Sequence, residues 1–506
     1  MDRRTFLGAG ALAGALAACN SGGIPPFELD ELTIADLSEG LRAGRWTARR
    51  LTELYRNRIE AMNRRGPELR AVIEINPDAL GIAERLDRST AKGPLHGIPI
   101  LLKDNIGTGD RMSTSAGSLA LERAHAAKDS AVAARLRASG AIILGKTNLS
   151  EWANYRSTHS VSGWSGRGGL TRNPYALDRN ASGSSSGSAV AAATNMCAAA
   201  IGSETDGSIV SPASINGLVG VKPTLGVIGG EGIVPIAHSQ DTAGPMARTV
   251  RDAALLLTAL GTQGIDYTRT LDPRGLKGAR LGVARKFFEK NAPLNRFLDD
   301  CVDALKKLGA EVVDPADLPS HDKWGEPEDI VLSYEFKNDL NAYLAAVPQE
   351  IPARTLAELI AFNEKNRDRE MPYFAQELFI AAEARGPLTE PACLKARADC
   401  LRLARNEGID AVIAQHKVDA IVCLTGGPAW YIDLVNGDSD TGGCSTPAAV
   451  AGYPHVTVPA GLYRETLPLG LSFFGTAMSE PALLRFAYAW EQNMQARRAP
   501  RFLARS

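Results

Sequence analysis

Between positions 183 and 210, two clusters of glycine and serine bracket a run of small residues. Gly183-Ser184-Ser185-Ser186-Gly187-Ser188 comes first, a stretch dominated by alanine follows, and Gly202-Ser203-Glu204-Thr205-Asp206-Gly207-Ser208-Ile209-Val210 closes the segment. Small side chains let backbones approach closely, and glycine-rich flanks can adopt backbone angles closed to other residues. Flexible linkers share this composition, but a linker would not sit beside a core-like alanine run. Nor would it lead into Gly217-Leu218-Val219-Gly220-Val221-Lys222-Pro223-Thr224. The segment therefore reads as packed interior carrying two specialised loops.

Around it, short apolar runs alternate with helical stretches. Ile98-Pro99-Ile100-Leu101-Leu102 reads as a strand ending at Lys103, and Ser130 to Ser139 as a helix stopped by Gly140 before a strand at Ala141–Leu144. Further strands are expected at Leu281–Ala284, Ala420–Cys423, Val456–Val458 and Leu469–Phe474. Leu51, Leu54, Tyr55, Ile59 and Met62 share one helical face, and Leu483, Phe486, Ala487 and Trp490 mark a last amphipathic helix. The alternation predicts an α/β domain with a largely covered sheet. At 506 residues and 44% hydrophobic content, the chain can bury a large core without disulfides or metal. From about 265 to 417 charge and helical pattern increase, and this region either shapes a substrate entrance or simply packs.

The 56 Lys+Arg residues nearly balance the 57 Asp+Glu residues, which argues against a nucleic-acid partner. The first nineteen residues differ in kind: Arg3-Arg4-Thr5-Phe6-Leu7 precedes a short apolar run ending in Leu16-Ala17-Ala18-Cys19. The run is too short for a stable membrane span. The start resembles a twin-arginine export signal, and the end a bacterial lipobox with Cys19 as the lipidated residue. Residues 1–18 are thus expected to be an export signal, and 19–27 a linker after Cys19. The protein is then expected on the periplasmic side, anchored to the membrane by its N-terminal lipid. Cys197, Cys301, Cys393, Cys400, Cys423 and Cys444 match no zinc spacing and are expected to be buried free thiols.

A series of ordered motifs resembles the amidase signature family. They are His96-Gly97-Ile98-Pro99 with Lys103-Asp104-Asn105, Gly145-Lys146-Thr147-Asn148, both serine clusters, Asp241-Thr242-Ala243-Gly244-Pro245, Ala451-Gly452-Tyr453-Pro454, Pro459-Ala460-Gly461 and Leu469-Gly470-Leu471. The resemblance implies one large domain over 28–506, with a central mixed, twisted sheet covered by helices. It places the catalytic lysine at Lys103, the bridging serine at Ser184 after a cis peptide bond, and the nucleophile at Ser208. The oxyanion donors fall on the backbone N–H groups of Thr205, Asp206, Gly207 and Ser208, with Ser185 in support. Neither cofactor nor metal is implied.

The chemistry is coherent. A serine hydroxyl needs a base to take its proton as it attacks. An ordinary lysine, with a pKa of about 10.4, is charged and cannot serve. Burial beside uncharged serines lowers that value. A Ser-His-Asp alternative would draw on His96 or His238, yet Gly183-Ser184-Ser185-Ser186-Gly187 fits the nucleophile-elbow pattern only in its bare form. Around Ser208 the family's commoner run is Gly-Gly-Ser-Ile-Arg; here Asp206 replaces the first glycine and Val210 the arginine. That version, with Ser239-Gln240-Asp241, is similar to bacterial peptide amidases, so the expected substrate is a small-molecule or peptide amide. Aryl or fatty amides, the ammonia-generating subunit of a tRNA-dependent amidotransferase, and a silent binding protein on the same scaffold are the alternatives.

Overall fold

The computed structural model describes residues 26–90 and 92–506. The expected export segment 1–18, Cys19 and most of the linker lie outside the described residues. Among the described residues, no helix is long and apolar enough to cross a membrane.

Eleven strands build one mixed sheet, and a two-stranded ribbon stands apart. In chain order they are β1 (Val72–Ile75), β2 (Pro99–Lys103), β3 (Ile142–Thr147), the ribbon β4 (Trp164–Ser165) and β5 (Gly169–Leu170), β6 (Ala199–Glu204) and β7 (Val219–Lys222). There follow β8 (Thr242–Ala247), β9 (Arg280–Val283), β10 (Glu311–Val313), β11 (Ala420–Leu424), β12 (His455–Tyr463) and β13 (Leu467–Phe474). The spatial order is β1-β3-β2-β6-β8-β7-β12-β13-β11-β9-β10. β3, β2 and β6 run parallel, and β8 turns antiparallel beside β6. The carboxyl ends of β2 and β6 therefore open on the same edge, where open α/β sheets place ligands.

Local chemistry explains the elements. β2, β3 and β6 are buried along their whole lengths, as strands covered on both faces must be. β3 runs past the expected apolar stretch through Lys146, because the buried Lys146 Nζ donates to Ile106 O at 2.7 Å and Thr114 Oγ1 at 3.0 Å. The helix Ser186–Ala193 is buried at every position. It lies so close to its neighbours that a Cβ on Gly187 would come within 2.3 Å of Ala71 O and 2.4 Å of Asn148 O. The alanine run thus continues from this helix into β6, and the glycine/serine clusters flank it.

The helix Ala48–Asn63 buries Leu51, Tyr55, Ile59 and Met62, and Glu480–Met494 buries Leu483, Phe486, Ala487 and Trp490. The six described cysteines are free and buried. The 265–417 region contributes β9 and β10 to the sheet, then a group of helices that begins with Gly325–Ala346, whose Phe336, Leu340 and Leu344 pack with Trp152, Val234 and Ala237 in a second apolar cluster.

Candidate active site

Lys103 ends β2 and is fully buried. Its Nζ donates to Ser184 Oγ at 2.7 Å, Ser203 Oγ at 3.0 Å and Ser203 O at 3.1 Å. Burial pulls its pKa down to about 7, although Asp241 and Glu204 push it upward. Ser184 follows a cis Gly183–Ser184 peptide bond. Ser185 ties the two serine loops together. Its N–H donates to Ser208 O at 3.1 Å, and its hydroxyl donates to Ser203 O at 3.1 Å and accepts from Ser203 N at 3.2 Å.

Ser203 carries a contact that sequence reasoning missed. Its hydroxyl also accepts from Asn105 Nδ2 at 2.9 Å, which fixes the group that faces the lysine. The available signal was Asn105 itself, two positions beyond Lys103 in the same motif.

β6 runs out into the turn that carries Ser208. The turn's carbonyls are bound from outside: Gln240 Nε2 donates to Thr205 O at 3.3 Å, Ser211 N to Gly207 O at 2.8 Å, and Ser185 N to Ser208 O. Glu204 Oε2 accepts from Ile209 N at 2.7 Å and Val210 N at 3.0 Å, satisfying the start of the next helix. Gly207 adopts φ +76°, which suits glycine, and a Cβ there would stand 3.0 Å from Ser445 Oγ. Among the described residues, the N–H groups of Thr205, Asp206, Gly207 and Ser208 meet no acceptor. Four adjacent unengaged donors beside a serine hydroxyl offer hydrogen bonds to a developing oxyanion.

Ser208 is buried, with 7% of its surface exposed. Its Oγ makes no hydrogen bond among the described residues; the link from Lys103 reaches Ser184 and stops there. Asp206 turns its side chain to Thr446, whose hydroxyl donates to Oδ2 at 2.7 Å, and its pKa is raised by burial. Thr205 donates through Oγ1 to Asp241 Oδ1 at 2.5 Å. Asp241 also accepts from Ile236 N and Ala237 N, while burial lifts its pKa to about 6. A cavity beside the turn is lined by Asn154, Asp206, Gly207, Trp430, Asp438 and Ser445, among others.

The histidine alternative finds no support in the geometry. His238 Nδ1 pairs with Asp339 Oδ2 at 2.8 Å, and no described hydrogen bond joins a histidine to Ser184 or Ser208. His238, Glu335 and Asp339 bring their ligand atoms within 4.8 Å of one another. They are already engaged internally, for Ser239 N also donates to Glu335 Oε2 at 3.0 Å.

Residues 50–484 match the family model described as Amidase. The chain is 41% identical over 504 residues to a probable amidase of Arabidopsis thaliana, covering 94% of this chain and 93% of that protein. The solved peptide amidase of Stenotrophomonas maltophilia is 48% identical with a TM-score of 0.89, over 94% of this chain and 100% of that one. A glutamyl-tRNA(Gln) amidotransferase subunit of Acinetobacter baumannii is 29% identical, over 92% of this chain and 96% of that protein. With its family model matched over most of its length and the lysine–serine pair in place beside a donor-lined turn, the chain belongs to the amidase family.

Proposed function

We propose that this chain hydrolyses primary carboxamides at the C-terminus of peptides, releasing ammonia. The observation that carries this reading is a buried Lys103, near-neutral in pKa, bonded to Ser184 beside four unengaged N–H donors. In the first step Ser208 Oγ bonds to the amide carbon while its proton passes to Ser184, whose own proton passes to Lys103. The carbonyl oxygen takes up the electron pair and is held by the turn's N–H groups. As the C–N bond breaks, the relay returns the proton to the departing nitrogen, leaving an acyl-serine. Water then repeats the sequence, releasing the acid and restoring Ser208.

Likeness to the Stenotrophomonas peptide amidase, at 48% identity over that whole chain, supports peptide amides over aryl or fatty amides. The test is a panel of peptide amides, aryl amides and fatty amides given to the purified chain alone, with ammonia release as readout. Release from peptide amides without another protein present supports the reading; no release from any carboxamide overturns it and favours the amidotransferase alternative.

The N-terminal motifs support export and attachment through lipid on Cys19, with the enzyme facing the periplasm. Several acyl chains on one cysteine hold a protein to a membrane stably, whereas a single chain does not. Mass spectrometry of the N-terminal peptide from membrane fractions decides this. An unmodified peptide that begins at Met1 and includes Cys19, recovered from the cytosol, overturns it.

A further inference from the structure

We infer that Gln240, held in place by Glu328, is a positioning residue that aims the Asp206 N–H at the substrate's oxyanion. The inference rests on the amidase reading and deepens it by asking what orients one of the turn's donors.

The Thr205 carbonyl and the Asp206 N–H belong to one planar trans peptide unit, so they point in opposite directions. Whatever holds the carbonyl therefore sets the direction of the N–H. Gln240 Nε2 donates to Thr205 O at 3.3 Å, and no other described donor reaches that oxygen. The second N–H of the same amide goes to Glu328 Oε1 at 2.8 Å. Gln240 is 1% exposed and Glu328 6%, so solvent is poorly placed to replace either contact. The carbonyls of Gly207 and Ser208 are held differently, by backbone N–H groups of Ser211 and Ser185. Of these three carbonyls, only that of Thr205 depends on a side chain.

Glu328 lies in the helix Gly325–Ala346, 88 residues from Gln240. The same helix binds the preceding residues through Glu335 to Ser239 N and through Asp339 to His238 N. Burial, with Asp206 nearby, raises the Glu328 pKa well above the ordinary glutamate value. A neutral carboxyl keeps a carbonyl oxygen that accepts from Gln240, so the contact needs no charge.

Three variants and two ligands test this. Losing an oxyanion donor costs about 10²–10³-fold in kcat, so Gln240→Leu is expected to lose roughly 10²-fold with KM little changed. A peptide aldehyde forms a hemiacetal with Ser208 and places an oxygen beside the turn's donors; the matching peptide alcohol does not. Gln240→Leu is expected to weaken the aldehyde by a similar factor and to bind the alcohol like wild type. Glu328→Leu should reproduce this pattern, and Glu328→Gln, which keeps an acceptor, should stay within a few-fold of wild type. Equal weakening of both ligands would mean a general disturbance and overturn the inference. Wild-type kcat and aldehyde affinity in Gln240→Leu would overturn it as well, while leaving the amidase reading intact. Amide hydrolysis by Ser208→Ala would overturn the amidase reading and this inference together.

Discussion

The two serine loops and the helix Gly325–Ala346 meet at one turn, but they are built from opposite materials. The loops are rich in glycine and serine, flank a buried alanine run and lie near the carboxyl ends of β2 and β6. The helix presents acids, Glu328, Glu335 and Asp339, to the loop that underlies the turn. Small residues are needed where backbones and substrate approach closely, and that need shows in composition. A supporting residue needs only a well-placed donor or acceptor, which can come from any distant element. On the proposed reading, groups that meet substrate and groups that aim them are specified by separate parts of the chain.

The harshest way to break the comparison is to remove the loops' chemistry. Ser208→Ala is expected to lose at least about 10⁴-fold in turnover with the fold retained, as circular dichroism would show. Ser184→Ala should also lose orders of magnitude. A loss below tenfold would mean that Lys103 reaches Ser208 directly.

The next effect is in pH. Lys103 must be neutral to accept a proton, so kcat/KM should fall as pH drops through about 7. Lys103→Met should remove most of the rate together with that limb. The variant is also expected to be more stable at neutral pH. The unfolded chain binds this proton up to the ordinary lysine value and the native chain only up to about 7, so the buried lysine costs stability below that window. Its cost fades as pH rises toward the ordinary value. Denaturant midpoints at pH 6 and pH 10 check the sign: the gap between variant and wild type should shrink at pH 10.

Much of this was legible before any coordinates. β2 ends at Lys103 as expected, because an apolar run followed by a lysine and two polar residues marks where a buried strand leaves the core. The motif series named Lys103, Ser184 and Ser208, and the structure brings Lys103 and Ser184 into contact where β2 ends. β8 was harder to see, since Pro245 argues against a central strand. The structure accommodates it because β7 pairs with β8 only at Met246 and Ala247, beyond the proline. Ser203 was missed because its role comes from facing Lys103 across neighbouring parallel strands, a relation set by register. Glu328, Glu335 and Asp339 were missed for a deeper reason. They recur at i, i+7 and i+11 on one helical face, where apolar residues would normally signal burial, so the helix shows no clear apolar stripe.

Ser203→Ala gives a smaller effect within the loops. It removes one acceptor of the lysine ammonium while Ser184 Oγ and Ser203 O remain. Losing an acceptor disfavours the charged form, so the acidic limb should move to lower pH, with turnover down by about tenfold, the scale of one hydrogen bond. An unmoved limb would show that Ser203 only packs.

The smallest effect sharpens the comparison from the helical side. Asp339 binds His238 through the ring and the backbone, but the His238 side chain is 58% exposed and the pair lies one residue beyond Ser239 and two beyond Gln240. Exposed ion pairs contribute about 0–1 kcal/mol. Asp339→Asn keeps an acceptor for the backbone N–H of His238 and removes only the charge. Its stability loss should therefore stay under about 1 kcal/mol by denaturant titration, and kcat/KM should stay within about twofold of wild type. The position of the effect along the helix is the informative part. Support from Glu328 reaches the turn through one buried amide, whereas support from Asp339 ends at an exposed loop residue. If Asp339→Asn lost activity as severely as Gln240→Leu, the helix would be acting on the turn as a whole, and the division between aiming residues and plain packing would fall.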